Sequence, residues 1–307
     1  MSIDFLISAF VTVVGVSTPI LLAATGELVV EKSGVLNLGV EGMMLIGAVT
    51  GFAVTFATFN PWLGVACAAG AGALAALLFG VLVLTLGSNQ VATGLALAIF
   101  GIGLSSLIGS GYVGTIIPPF SSLFPYALSH HPYGKVLFGY SPLVYFAFFM
   151  VFAVSWFLNR TRAGLVLRAV GENDLSAHSI GYSVTGVRYL AIAFGGALSG
   201  VAGAYFSMVI TPLWAEQMTA GRGWIALALV VFAGWRAGRL IFGAYLFGVL
   251  MTLELYAKAS GLSIGPSQFW ASMPYLMAIL VLAVISSRDS GGSDAPACLG
   301  KPFLPAS

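Results

Sequence analysis

The chain has 307 residues, of which 59% are hydrophobic and 7% charged, with Lys+Arg 12 against Asp+Glu 10 and a net charge of +2. Soluble domains carry about 25% charged residues, so a water-soluble globular fold is excluded, and so small a net charge gives no footing for a nucleic-acid partner. With a mean hydropathy of +1.01 the chain reads as an all-α polytopic membrane protein.

In chain order, the leader MSID carries an acid and no Lys or Arg, which is wrong for the positively charged start of a signal peptide. The apolar run Phe5 to Thr25 is therefore read as a first span. Further apolar runs cover Val35 to Phe56, Trp62 to Leu86, Val91 to Gly109, Pro142 to Leu158, Tyr189 to Ile210, Trp224 to Trp235, Leu240 to Tyr256 and Ser272 to Ser286. At about 20 residues per crossing this predicts about nine transmembrane helices. One stretch among them, near residues 26–48, reads as a broken or re-entrant segment.

That stretch is GELVVEKSGVLNLGVEGMMLIGA, where Glu27, Glu31, Lys32, Asn37 and Glu41 sit between long apolar runs. A carboxylate at the bilayer centre costs about 2.5 to 3.5 kcal/mol on insertion scales, so it faces a polar cavity, a partner or the interface. Gly34, Gly39 and Gly42 punctuate the segment, as in helices interrupted beside a substrate path. A plain polar turn between two ordinary spans is the competing reading. Asn37 and Glu41 are four apart and share a face if that portion is helical. Asn89, Gln90 and Thr93, at the start of another span, either add hydrogen-bonding groups to a path or cap their helix and tie it to a neighbour.

The arginines orient the spans. Arg160, Arg162, Arg168 and Arg188 mark one loop, Arg236 and Arg239 another, and Arg288 follows the last run; the positive-inside rule puts all three in the cytoplasm. Counting back places the start of the chain outside. The membrane domain is then 1–287, with a cytoplasmic loop at 159–188, an external loop at 111–141 and a disordered cytoplasmic tail at 288–307. Within the cytoplasmic loop, Asn173 or Asp174 caps a short helix over Asp174 to Ile180, and Gly181 suits the left-handed position after it. In the following span Gly195, Ser199 and Gly203, with Gly196 and Gly200, form a small-residue pattern that favours close packing inside the molecule.

Catalytic and metal chemistry has no motif here. No phosphate-binding GxxxxGK[ST] loop, HExxH or GxSxG occurs, and Cys67 and Cys298 lack CxxC spacing. His130 and His131 are adjacent, so they point apart on a regular helix, and no third ligand is near in sequence.

Five stretches carry a resemblance: EKSGVLNLGVEGMMLIGA at Glu31 to Ala48, NQVATGLAL at Asn89 to Leu97, AVGEN at Ala169 to Asn173, GRGWIALALVVFAGW at Gly221 to Trp235, and MPYLMAILVL at Met273 to Leu282. In this order they resemble the permease subunits of bacterial ABC importers of the branched-chain amino acid, simple sugar and nucleoside group, and within it the nucleoside permeases.

The resemblance implies a non-catalytic subunit of the bacterial inner membrane that forms the path for a small polar solute, a nucleoside first, with a simple sugar or branched-chain amino acid as the alternative. It implies a second permease subunit, related or identical, two cytoplasmic ATPase subunits and an extracytoplasmic binding protein. This chain then binds no cofactor, and ATP and Mg²⁺ belong to the ATPase. Path residues are Asn37, Glu41, Asn89, Gln90 and Thr93; residues coupling to the ATPase are Glu172, Asn173, Asp174, Ala177, Ile180 and Gly181. Asp174 departs from the pattern, which usually has proline there, and Ala237 to Arg239 replaces a stretch that usually carries one. An ion-coupled secondary transporter would also place ionisable groups at the midplane, without any ATPase.

Overall fold

The computed structural model describes residues 3–118, 120, 123–124, 134–259, 272–274, 276–280, 283 and 295–303. The described elements are helices: α1 Ile3–Lys32, α2 Val40–Thr58, α3 Pro61–Gly80, α4 Gln90–Gly109, α5 Lys135–Phe138, α6 Pro142–Arg160, α7 Arg162–Glu172, α8 Asp174–Ser179, α9 Val184–Tyr205, α10 Arg222–Phe232 and α11 Ala237–Ala259. Wider π-type turns extend α3 over Val81–Thr85 and α9 over Phe206–Ile210. No strand occurs among the described residues. Isolated bridges join Val113 to Trp214 and Ile116 to Leu213.

Helix starts follow local chemistry. Asn60 Oδ1 accepts from the backbone N–H of Trp62 and Leu63 ahead of Pro61, Thr161 Oγ1 from Gly164, and Ser183 Oγ from Gly186. Each side chain satisfies donors that a helix N-terminus leaves open.

Six helices among the described residues are long and apolar enough to cross a membrane, not the nine expected. The Trp224 to Trp235 run folds as α10, 11 residues long. That is about 16 Å of helix, roughly half of a 30 Å hydrocarbon core. The apolar part of α11, Ala237–Leu253, also falls short of a full span, and most of the Ser272 to Ser286 run lies outside the described residues. So do His130, His131 and much of the external loop.

Helices α2 and α9 form the centre, mostly buried, while α4 and α6 turn most of their surface outward. Large apolar side chains are exposed there, Ile99 and Phe152, and also on other helices at Leu74, Leu190 and Phe242, as a lipid-facing belt requires. The small residues of α9 work internally. Gly195 lies against Gly26 of α1, Gly196 and Gly200 against Gly72 of α3, and Gly203 against Met44 of α2; a Cβ at any of them would collide with a neighbouring helix. This close approach lets backbones and short side chains do the packing that long side chains would obstruct.

One end of the molecule gathers the cytoplasmic loop expected at 159–188, the α1–α2 link and residues 295–303. Gly171 of α7 sits on the carbonyl of Lys32 and the amide of Gly34, where a side chain would not fit. Cys298 N–H donates to Gly171 O at 2.9 Å and Gly300 N–H to Gly34 O at 3.2 Å. Residues 295–303 therefore depart from the disorder expected over 288–307. Their backbone finds partners on two loops that composition does not connect.

Candidate functional site

The first helix does not stop before its acids. It runs through Glu27 and Glu31 to Lys32, and the chain then leaves helical geometry until Val40, with Gly34 at φ +89 turning the corner. Asn37 falls in this link and Glu41 in the first turn of α2, so the two do not share a helical face. Both are buried, as are Glu27, Glu31 and Ser33. The broken segment expected near 26–48 is thus a buried non-helical link at 33–39.

Its polar groups bond to one another and to the second half of the chain. Asn37 N–H donates to Glu27 Oε1 at 3.3 Å, and Asn37 Oδ1 accepts from Gly39 N–H at 3.0 Å. Glu27 Oε2 is buried without a partner. Glu31 Oε2 accepts from the Trp235 indole N–H at 2.5 Å. Glu41 accepts three bonds from one loop: Thr219 Oγ1 at 2.6 Å and Gly221 N–H at 2.8 Å to Oε1, and Gly223 N–H at 2.6 Å to Oε2.

Those last contacts explain how α10 begins. The residue before it, Gly221, has φ +79 and offers no side chain to cap the helix. Glu41, from another helix, fills that role and places its charge at the positive end of the α10 dipole. Two helix starts, α2 and α10, therefore meet at one carboxylate.

The depth of this junction follows from packing. Gly26 lies against Gly195, midway along the 27-residue span Val184–Ile210, and Glu27 is the next residue of α1. Glu41 precedes Gly42, which lies against Leu97 and Ala98, inside the span Gln90–Tyr112. Glu27 and Glu41 therefore lie where candidate spans pack side by side, each accepting at least one hydrogen bond.

The remaining path candidates tie the same end together. Asn89 is exposed and caps α4, its Oδ1 accepting from Ala92 N–H at 3.0 Å. Gln90 is buried, accepts from Leu36 N–H at 2.8 Å and donates to Lys301 O at 3.4 Å. Thr93 Oγ1 lies 2.8 Å from Ser88 Oγ. An apolar groove of about 610 Å³ between α1, α6, α7 and α9, lined by Val29, Phe157, Leu167 and Phe194, contains none of these residues.

The coupling candidates split into two faces. Asn173 caps α8, accepting from Ser176 N–H at 2.9 Å, and Gly181 takes φ +95 behind it. Asp174, in place of a proline, starts the helix without distortion and pairs with Arg188 at 3.1 Å. Arg188 is fully buried, and its Nε also donates to Ser33 O at 3.1 Å. Glu172 is exposed. Ala177 is buried within the chain's own cluster of Val170, Val184 and Phe303, whereas Leu175 and Ile180 stand exposed.

Sequence reasoning missed Arg188, Thr219, Gly221, Gly223 and Trp235 as members of these sites. The available signal was the glycine pair in GRGW just before an apolar run, which marks a helix start lacking its own cap.

The branched-chain amino acid transport system / permease component family matches residues 9–285. The chain belongs to this family. The permease is 42% identical over 289 residues to a putative glucose ABC transporter permease of Haloferax volcanii, which covers 87% of this chain and 88% of that one. It is 30% identical over 305 residues to a guanosine ABC transporter permease of Bacillus subtilis, across 94% and 93% of the two chains. A nucleoside ABC transporter permease of Lactococcus lactis is also 30% identical, across 89% and 90%. No solved structure matches the permease. With six helices of membrane-crossing length among its described residues it is a multi-pass membrane permease component.

Proposed function

We propose that this permease is the membrane-path subunit of an ATP-driven importer for a neutral solute built on a sugar ring. The observation that carries this is the solute named for each of the three relatives: glucose, guanosine and a nucleoside all present a hydroxylated furanose or pyranose. A free hexose stands ahead of a nucleoside, because the 42%-identical relative is the putative glucose permease. That order reverses the preference for a nucleoside drawn from motifs.

In this reading the permease works in the cytoplasmic membrane beside a second permease subunit, with two ATPase subunits that bind ATP and Mg²⁺ and a solute-binding protein on the opposite side. Helix α8 meets the ATPase through its exposed Leu175 and through the exposed Ile180 just past its end, with Glu172, Asn173, Asp174 and Gly181 shaping the loop behind them. Asn37 and Glu41, bonded internally, position the path instead of touching solute. Asn89, Gln90 and Thr93 hold the cytoplasmic end of α4.

The test is uptake by vesicles holding the complete assembly. ATP-dependent entry of labelled glucose, competed by guanosine or not, separates the hexose from the nucleoside. Uptake driven by an ion gradient without ATP would overturn the ATP-driven reading, and uptake of leucine in preference to both solutes would overturn the sugar-ring reading.

A further inference from the structure

The connection from α9 to α10 crosses part of the membrane without a helix. At one end Trp214 is buried against Gly109, the last residue of α4, and bridges Val113. At the other end Thr219 and Gly221 bond to Glu41, beside Leu97 and Ala98 of α4. Residues 215–218 thus descend along α4 from its outer end toward its interior. The 11 residues of α10 cover the other part of the crossing.

Within this descent Trp214 and Thr219 are buried, but Ala215, Glu216 and Gln217 are exposed. Non-helical backbone at membrane depth is tolerated only when buried in protein or lining water. A carboxylate facing lipid there is costly as well. The exposed side of the loop therefore faces either water or the second permease subunit proposed above, and a carboxylate beside an amide suits water.

We infer that Glu216 and Gln217 line a water-filled solute path and hydrogen-bond the ring hydroxyls of the solute, while Glu41 holds their loop from behind. The inference rests on the transport reading above and names the groups that contact solute. A carboxylate accepts and an amide both donates and accepts, which suits neighbouring hydroxyls of a sugar ring. The loop is also held in one shape: Gln217 and Ala220 adopt left-handed φ of 51 and 46, conformations that persist only where surroundings over-determine them. The three bonds to Glu41 supply that constraint.

The experiment uses the complete assembly in vesicles, with Cys67 and Cys298 replaced by Ala. Glu216→Cys and Gln217→Cys are exposed to a charged, membrane-impermeant thiol reagent, beside Ile99→Cys and Leu107→Cys on the outward face of α4. The two loop positions should react at least about tenfold faster than the α4 positions, because only they meet water. Equally slow reaction at all four overturns the water-filled path.

Uptake of labelled glucose and labelled guanosine is then measured for Glu216→Ala and Gln217→Gly. Glycine relieves the left-handed backbone, so a loss in that variant is not a folding defect. Each should raise KM about tenfold, the loss of one charge-assisted or amide bond, while the ATPase is still recovered with the permease. Unchanged KM in both overturns the solute contact. Fast labelling at the two loop cysteines, together with a wild-type assembly that takes up neither solute, overturns the sugar reading and its contact, leaving the water-filled cavity alone.

Discussion

Arg188 Nη2 donates to Asp174 Oδ2 at 3.1 Å, and the same guanidinium reaches Ser33 O through Nε at 3.1 Å. One side chain thereby joins the first turn of α8 to the link that leads to Asn37 and Glu41. A displacement of α8 by a bound partner has a direct route to the buried polar link.

The two halves of this pair differ in exposure, and the difference sets a prediction. Asp174→Ala leaves a guanidinium that is 0% exposed without its carboxylate, whereas Arg188→Met leaves an aspartate that is 13% exposed and near water. Asp174→Ala should cost about 3 to 5 kcal/mol, the penalty for an uncompensated buried charge. Arg188→Met should cost about 1 to 3 kcal/mol. Thermal unfolding in detergent measures both. The opposite ranking would show that the pair is hydrated in solution.

Sidedness gives a second expectation. Ser176 is exposed on α8, in the loop that the arginines place in the cytoplasm. Ser176→Cys should resist an impermeant thiol reagent in intact cells and react in inverted vesicles. Labelling from outside would invert the topology.

The two faces of α8 give a third. Ile180 is 73% exposed and Ala177 is 2% exposed. Ile180→Glu should reduce recovery of the ATPase with the permease while leaving the melting temperature of the permease unchanged. Ala177→Arg should lower that melting temperature, because it drives a charge into the cluster of Val170, Val184 and Phe303. Normal stability in Ala177→Arg would mean that this face is open.

Glu41 supplies the fourth. Its two oxygens accept from three donors, and Gln retains one acceptor while turning an NH₂ toward a backbone N–H. Glu41→Gln should cost about 1 to 3 kcal/mol for the donor left unsatisfied. Amide hydrogen exchange over 215–223 should rise, since the cap of α10 is weakened. Unchanged exchange there would remove Glu41 from the role of holding the loop.

Much of the helical frame is legible in the sequence because apolar runs of span length have few other outcomes in a membrane. The runs starting at Phe5, Val35, Trp62, Val91, Pro142 and Tyr189 each lie within or overlap one of the six spans. The end of α1 was not legible. Two acids in Gly26 to Lys32 look like a break, yet helix persists because Trp235 and Asn37 supply donors from elsewhere. The junction at Glu41 was hidden for the same reason, since its partners lie 178 to 182 residues away and no local period links them. Asn89 was open to two readings, and its bond to Ala92 N–H is the cap.

The stretch 295–303 closes the gap between Gly171 and Gly34, and Phe303 completes the cluster around Ala177. During synthesis these residues leave the ribosome after every described helix. A chain cut short after α11 lacks the Phe303 ring beside Ala177 and the two backbone bonds to Gly171 and Gly34, so α8 and the 33–39 link each lose a support supplied by the far end of the sequence.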